Sequence, residues 1–561
     1  MKNTVSLAFI FLVSVAGISA SRAQPADTLL VNGKVLVGDG SFSIREAVAV
    51  RDGLILATGR TAEMKKLAGK STRVVDLQGR TVIPELVDSH MHAIRAALSF
   101  ATEVNWIGAS TLEEALNRIR QGAKRARPGG WLIVAGGWTD QQFKEKRRPT
   151  QEELAAAAPG FPVYVQWFYA WAMLTQPALD ALRIKEDADL PGGLKLERGA
   201  DGKPTGAVNG PAIAALFSRL PTPNFAEQVD GTRKFFRELN RLGLTGVIDP
   251  GGFNMSPEAY QALFRVWRDG QLTMRVSYSL FSQKGGKELD EFKELAQMTP
   301  MGFGDGLLRF NGIGERVTFG MYNNDAPNDE QKNQFYAAAK WAAERGMTLT
   351  QHWSNDASVH HLLDVFERVN REIPIAPLRW SIAHLNDASD ASLARMKSLG
   401  VGWAMQNAMY FEGERFLAER GASAARRAPP VMSAVRIGLN VGAGTDAHRV
   451  MSLNPFVALQ WLLDSKTTGG TTLRWSEEIP SRQEALRLYT SGSAWFDHSE
   501  RRRGSLEAGK LADLAVLSKD YLKVPVFEIG GIESLLTMVG GKIVYVAGAY
   551  EKYGQYEKPA R

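Results

Sequence analysis

From Thr81 onward, short β-rich runs alternate with amphipathic helical stretches, and this alternation constrains the fold more than any other feature. Parallel neighbours cannot be joined by a hairpin and need a crossover, usually a helix, so the pattern points to βα units. Eight runs can be placed. The first, Val82–Val87, leads into Asp88, His90 and His92. The second is Leu244–Asp249, the third Thr273–Phe281 and the fourth Leu307–Val317. The fifth is Met347–His352, the sixth Arg379–His384, the seventh Val401–Gln406 and the eighth Asn440–Asp446. Helical stretches such as Asn333–Arg345 and Ser358–Val369 separate most of them. The expected fold is α/β, a (β/α)8 TIM-like barrel over 85–499 whose site lies at the C-terminal ends of the strands.

The chain ends read differently. Asp27–Val37, Ala47–Arg51 and Ile55–Thr58 are close β-runs punctuated by Gly33, Gly38 and Gly53. Leu514–Leu517 and Ser534–Tyr545 continue that style after the barrel. A small β-sandwich built from both ends, 24–84 and 500–561, is the expectation. Between the first and second barrel runs lies an insertion of about 93–241, containing the helix Leu112–Arg125. Connections that long are functional or form subdomains, so it is expected to cap the substrate pocket.

Before the first β-run, Met1-Lys2 precedes the apolar Val5–Ile18 and then Ser21-Arg22-Ala23. This reads as a secretory signal, 1–23, cut after Ala23, with the periplasm as destination. No later apolar segment is long enough to span a membrane. The 561 residues include no cysteine, which excludes disulfides, thiolate metal sites and cysteine nucleophiles. The net charge of +7 is spread over the sequence, and no nucleic-acid motif accompanies it. A small-molecule substrate is the expected partner, and a homo-oligomer is compatible with the sequence.

Only eight histidines occur, and four of them fall on predicted strand ends or just past them. His90 and His92, two apart, can present their imidazoles to one point. His352 ends the fifth run and His384 the sixth, where they can face the first pair across the mouth. Imidazole is the commonest zinc ligand among side chains. Asp446, at the end of the eighth run in GAGTDAH, can ligate a metal and accept a proton from water; a helix N-cap is the structural alternative. His448 and Arg449 follow in the same loop and are candidates for substrate contact, as are the aromatics Trp138, Tyr169 and Trp353. His360, His361 and His498 are assigned no role.

These pieces together resemble the amidohydrolase superfamily of metal-dependent hydrolases. The matching segments are PELVDSHMH, the histidines after strands five and six, GTDAH after strand eight, and the tail GSLEAGKLADLAVL. DGKPTGAV, LNRLGLTGVIDP and GGWTDQQF resemble in particular the YtcJ-like branch, which includes N-substituted formamide deformylases. The resemblance implies His90, His92, His352 and His384 as metal ligands, and Asp446 as ligand and general base. It implies one or two divalent ions, zinc foremost.

The chain departs from the family pattern in four places. Glu85 stands where the family usually has Gly. Gly314-Glu315 occupies the region where the branch places a lysine, so Glu315 is the candidate bridging ligand, with an ion pair to Arg316 as the alternative. The fifth-strand segment is QHWSND, which leaves His352 as its single candidate ligand. Tyr169 stands where relatives often carry a histidine. The expected activity is hydrolysis of a non-peptide C–N bond, in an N-acyl or N-formyl amine. An esterase, lactonase or phosphoester hydrolase on the same centre is the second reading, and a metal-free binding protein the third.

Overall fold

The computed structural model describes residues 25–127 and 129–554. The expected signal, 1–23, lies outside them. Eight parallel strands carry the central part of the chain. We number them β1 (Leu86–Asp88), β2 (Leu244–Asp249), β3 (Arg275–Leu280), β4 (Leu308–Ile313), β5 (Thr350–Trp353), β6 (Ser381–His384), β7 (Gly402–Gln406) and β8 (Val441–Gly444). They form two four-stranded parallel arcs, β1 to β4 and β5 to β8, rather than one unbroken ladder. At one seam a single parallel bridge joins Ile313 to Leu349. At the other, Ser89 N–H donates to the Ala443 carbonyl at 3.1 Å and Asp446 N–H to that of His90 at 2.8 Å.

The predicted run Val82–Val87 is not one strand. Thr81–Pro84 belongs to an outer sheet, and β1 begins only at Leu86. The break falls at Glu85, whose N–H donates to the Asp513 carbonyl at 3.0 Å. Proline at position 84 removes one ladder donor, which suits a strand end. The outer sheet pairs Thr81–Pro84 in parallel with Lys34–Leu36 and antiparallel with Leu514–Leu517, so segments from both sides of the eight strands meet there. A second sheet orders Leu54–Gly59, Ala47–Arg51, Ala26–Val31 and Ala68–Asp76. One apolar cluster draws Leu30, Val48 and Val75 from this sheet and Val82, Val516 and Leu536 from the other.

Helices cover the outside of the arcs. The helix Phe225–Arg241 shows why: Asn224 caps its first turn by accepting from Glu227 N–H at 3.0 Å, and its apolar stripe Phe235, Phe236 and Leu239 is fully buried. Each such side chain contributes roughly 1.5–3 kcal/mol on leaving water. This helix and Ala93–Ser99 bury their apolar faces in the same core as the strands, so both ends of the predicted insertion belong with the arcs. Between them a five-stranded sheet runs Lys195–Arg198, Pro204–Asn209, Trp171–Leu174, Val163–Trp167 and Leu132–Val134. It has apolar clusters of its own on its two sides. No helix among the described residues is long and apolar enough to cross a membrane.

Candidate metal centre

The C-terminal ends of five strands, β1, β4, β5, β6 and β8, set the site. Asp88 closes β1, and its buried carboxylate accepts the His90 N–H at 3.0 Å, the Thr445 N–H at 3.1 Å and the Thr445 hydroxyl at 2.6 Å. It thereby staples the turn after β1 to the turn after β8. Burial pushes Asp88 up to about 7 against these hydrogen bonds.

Past that staple, His90 and His92 stand with ring centroids 5.4 Å apart and planes 80° apart. Their Nε2 atoms lie 3.7 and 3.1 Å from Asp446 Oδ1 and 3.5 and 3.4 Å from Glu315 Oε2. The other Glu315 oxygen, Oε1, meets His384 Nε2 at 3.0 Å and His352 Nδ1 at close contact. One carboxylate thus serves two pairs of imidazoles, one pair on each oxygen.

Local sequence accounts for this convergence. Strand alternation turns His352 toward the centre and Trp353 away from it. Just past β4, Gly314 has φ 156°, and a β-carbon there would come within 2.6 Å of the Thr350 carbonyl oxygen. Glycine at 314 lets the chain carry Glu315 against β5, where the Glu315 carbonyl accepts the His352 N–H at 3.0 Å. His384 and Asp446 both hold left-handed backbone, φ 70° and 55°. Non-glycine residues adopt that region at a cost on the order of 1–3 kcal/mol, and such residues cluster at functional sites. Gln406 secures the first turn by accepting the His384 N–H at 2.9 Å. The His92 ring is fixed by its Nδ1 against the Gly251 carbonyl at 2.5 Å, which leaves Nε2 for the centre.

The charges are unbalanced. Burial would raise the Glu315 carboxyl, but the imidazoles of His352 and His90 and the hydrogen bonds of His352 and His384 hold it well below the usual range. Asp446 behaves alike: burial raises it, and His92, His384 and His90 together bring it down. Both ring nitrogens of His90 are buried without a hydrogen-bond partner. An imidazole stripped of water with no partner is costly unless something else takes its lone pair. His90 with Glu315 and His384, and His90 with His92 and Asp446, each place three ligand atoms within 4.8 Å of one another. Nitrogen and carboxylate donors in compact groups of three suit zinc and its divalent neighbours. The residues therefore fit a metal.

The sequence profile of the Amidohydrolase family matches residues 73–545. The chain belongs to that family. It is a metal-dependent hydrolase acting on carbon–nitrogen bonds other than peptide bonds. It is 26% identical over 550 residues to the N-substituted formamide deformylase of Arthrobacter pascens, covering 93% of this chain and 99% of that one. Among solved structures, an uncharacterized metal-dependent hydrolase from Pyrococcus horikoshii OT3 shares the fold with a TM-score of 0.64 at 20% identity, over 89% of this chain and 99% of that one. Atrazine chlorohydrolase TrzN from Arthrobacter aurescens TC1, complexed with zinc, aligns with a TM-score of 0.53 at 16% identity, over 92% of this chain and 95% of that one.

In this amidohydrolase the six residues expected at the centre, His90, His92, Glu315, His352, His384 and Asp446, come together. The alternative partner for Glu315 does not: Arg316 donates to the Ser282 carbonyl at 2.7 and 3.1 Å and lies under the rings of Phe253, Phe281, Phe319 and Tyr322. Beside the centre a cavity of about 220 Å³ opens between the insertion and the mouth loops. Tyr169 and Arg449 line it, whereas the other expected substrate contacts stand elsewhere. Trp138 is buried in the insertion core, donating to the Gln166 carbonyl at 2.7 Å and stacking on Phe143. Trp353 is fully buried among the covering helices and donates to Ser358 at 3.1 Å, as its outward position on β5 dictates. His448 is buried against Phe100 and Phe235 and bonds through Nε2 to Glu103 at 2.7 Å.

Glu103, which sequence reasoning missed, also accepts from Arg449 Nη1 at 2.7 Å. Burial alone would raise it, but Arg449 and His448 hold it at about 2. Arg449 is further fixed by the insertion. Its carbonyl faces Gly137 N–H at 3.3 Å, and a β-carbon on Gly136, φ 138°, would overlap it. Tyr322, packed over His352 with centroids 4.6 Å apart, and Arg95, in the cavity wall, were missed as well. Arg95 had a signal: three residues after His92, it lies on the first helix beyond β1.

Proposed function

We propose that this amidohydrolase is exported, loses its first 23 residues, and hydrolyses an amide of the N-acyl or N-formyl amine type. The curated similarity to a formamide deformylase over nearly both full lengths supports that bond class. In this reading the two arcs act as one barrel, and the two outer sheets form a supporting β-sandwich over 24–84 and 500–561.

The observation that carries the reading is the division of Glu315: one oxygen faces His90 and His92, the other His352 and His384. A carboxylate so placed could offer one oxygen to each of two ions. His90, His92 and Asp446 would hold one, His352 and His384 the other, with zinc the best match to the donors. When bound, the metal acts as a Lewis acid and brings the pKa of water near 7. Asp446, beside His92 Nε2, takes the proton of the attacking water and returns it to the leaving nitrogen. Water adds to the carbonyl carbon, the C–N bond breaks, and a carboxylate and an amine leave. Asp88 keeps the turns after β1 and β8 in register, so that Asp446 stays aimed at the reacting carbonyl.

Metal analysis of the mature protein, beside His90→Ala, tests this. About two equivalents in the wild type and a clear loss in the variant are expected. One equivalent would leave Glu315 as a neighbour of a mononuclear site. No metal after incubation with zinc or manganese would end the hydrolytic reading. Sequencing the mature N-terminus tests export: retention of Met1 after expression in a secreting host would refute it.

A further inference from the structure

The cavity beside the centre contains a cation that no carboxylate of the described residues pairs. Its wall is largely apolar, with Leu98, Phe217, Leu220 and Phe253 among its side chains. Two of its residues, Arg95 and Arg449, are cations. Arg449 is matched by Glu103 at 2.7 Å. Arg95 forms no salt bridge among the described residues, and its Nε is buried without a hydrogen-bond partner. Asp249, which feels the Arg95 charge, is engaged by the N–H groups of Ile94 and Gly251, both at 2.7 Å. Asp446 is turned to His92.

Arg95 also borders the centre. Gly252 lies between the two: a β-carbon placed on it would be 3.4 Å from His92 Nδ1 and 3.5 Å from Arg95 Nε. On the other side, the Arg95 guanidinium stands 5.9 Å from the Tyr169 ring centroid. The Tyr169 hydroxyl is buried and closes no hydrogen bond of sound geometry. A guanidinium whose Nε is unpartnered and a phenol beside it thus face one apolar chamber next to the reacting position. Arg95 is half-buried with its Nε shut off from water, and a donor left unpaired in that way carries a cost that a ligand acceptor would relieve.

We propose that Arg95, with the Tyr169 hydroxyl, is the anion-recognising element of this site, and that the substrate amide carries a carboxylate beside an apolar group. The proposal rests on the hydrolytic reading above for the bond cleaved, and adds which amides are chosen. The guanidinium fork matches a carboxylate with two parallel N–H bonds, while the apolar wall takes the hydrocarbon part. A neutral amide of the same size would leave Arg95 unpaired, and sites built around a buried polar group reject ligands that cannot pair it.

The test uses the metal-loaded protein and two readouts. The first is calorimetric binding of 2-phenylethanesulfonate, an apolar anion whose sulfonate is a poor metal ligand. Arg95→Gln is expected to weaken it about 30-fold, Arg95→Lys to recover part of that, and Tyr169→Phe to weaken it about 3-fold, with metal content constant. The second is the ratio of kcat/KM for N-formyl-4-(aminomethyl)benzoate over N-benzylformamide, expected to favour the acid in the wild type and to fall about 30-fold in Arg95→Gln. Equal sulfonate binding by wild type and Arg95→Gln, or none by either, overturns the proposal. Hydrolysis of the neutral amide with no preference for the acid overturns it too and leaves the amidohydrolase reading intact. Arg95-dependent sulfonate binding without hydrolysis of any amide supports the anion site while removing the bond assignment.

Discussion

Two buried charged clusters sit at opposite ends of the eight strands, and they are built on opposite plans. At the N-terminal end, Arg275 grips Asp513 with Nε at 2.6 Å and Nη2 at 3.0 Å. Arg503 reaches Asp497 at 2.6 Å and Glu85 at 3.4 Å, and Arg309 stands 3.2 Å from Asp497. Three guanidinium groups meet three carboxylates, with Ser277 and Thr245 adding hydroxyl donors to Asp497 and Glu85. At the C-terminal end two carboxylates face four imidazoles, and His90 has neither nitrogen satisfied. In the first cluster every carboxylate meets a guanidinium, although Glu85 Oε1 closes no hydrogen bond, whereas in the second His90 has no partner on either nitrogen. A closed set of charges fixes structure, whereas an open set marks where a ligand belongs.

That contrast predicts which variants lose chemistry and which lose stability. Asp446→Asn carries the largest effect: kcat should fall by about 10³-fold through loss of the proton carrier, with a melting temperature within a few degrees of the wild type. A kcat within tenfold of wild type would remove Asp446 from its role. Asp497→Asn should do the reverse. It leaves Arg503 buried and short of an anion and deprives the half-exposed Arg309 of its partner, at a cost of about 3–5 kcal/mol seen as an earlier urea midpoint, while kcat per folded molecule stays constant. An unchanged midpoint would show that the lower cluster is ornamental.

Glu103 sharpens the comparison, because it completes a third set beside the cavity. Its folded pKa of about 2 lies below its ordinary 4.5. The stabilisation is therefore present above the ordinary value and is lost as pH falls through about 2, amounting to about 3 kcal/mol. Acid unfolding of Glu103→Gln against wild type should show that difference in slope below pH 4.5, and parallel curves would refute it. The smallest effect belongs to Trp138→Phe. Buried away from the cavity, it should cost about 1 kcal/mol for its lost hydrogen bond and leave KM unaltered. A shift in KM would return Trp138 to the substrate site.

Much of the architecture was legible because period and punctuation carry it. All eight parallel runs appear, and the six residues at the centre lie at strand ends or just beyond, where alternation could place them. The split at Glu85 was hidden, since Thr81–Asp88 is apolar throughout and periodicity cannot say which sheet each half joins. Trp138 and Trp353 misled for a related reason: an aromatic near a strand end reads the same whether it faces the mouth or the helices. Glu103 gave no signal, because its partners His448 and Arg449 are more than 340 residues away in sequence.

The division of Thr81–Asp88 between an outer sheet and β1 also bears on how the chain matures. The candidate ligands His90 and His92 lie near the start, yet the strand that leads to them is flanked by Leu514–Leu517, close to the end. Until that late segment arrives, Thr81–Pro84 presents an open edge directly before the His90–His92 turn, a template for pairing with other chains. A polypeptide emerging N-terminus first must therefore carry this exposed edge through most of its synthesis. Molecules truncated shortly before Leu514 should be the aggregation-prone ones, even though they retain every residue of the metal centre.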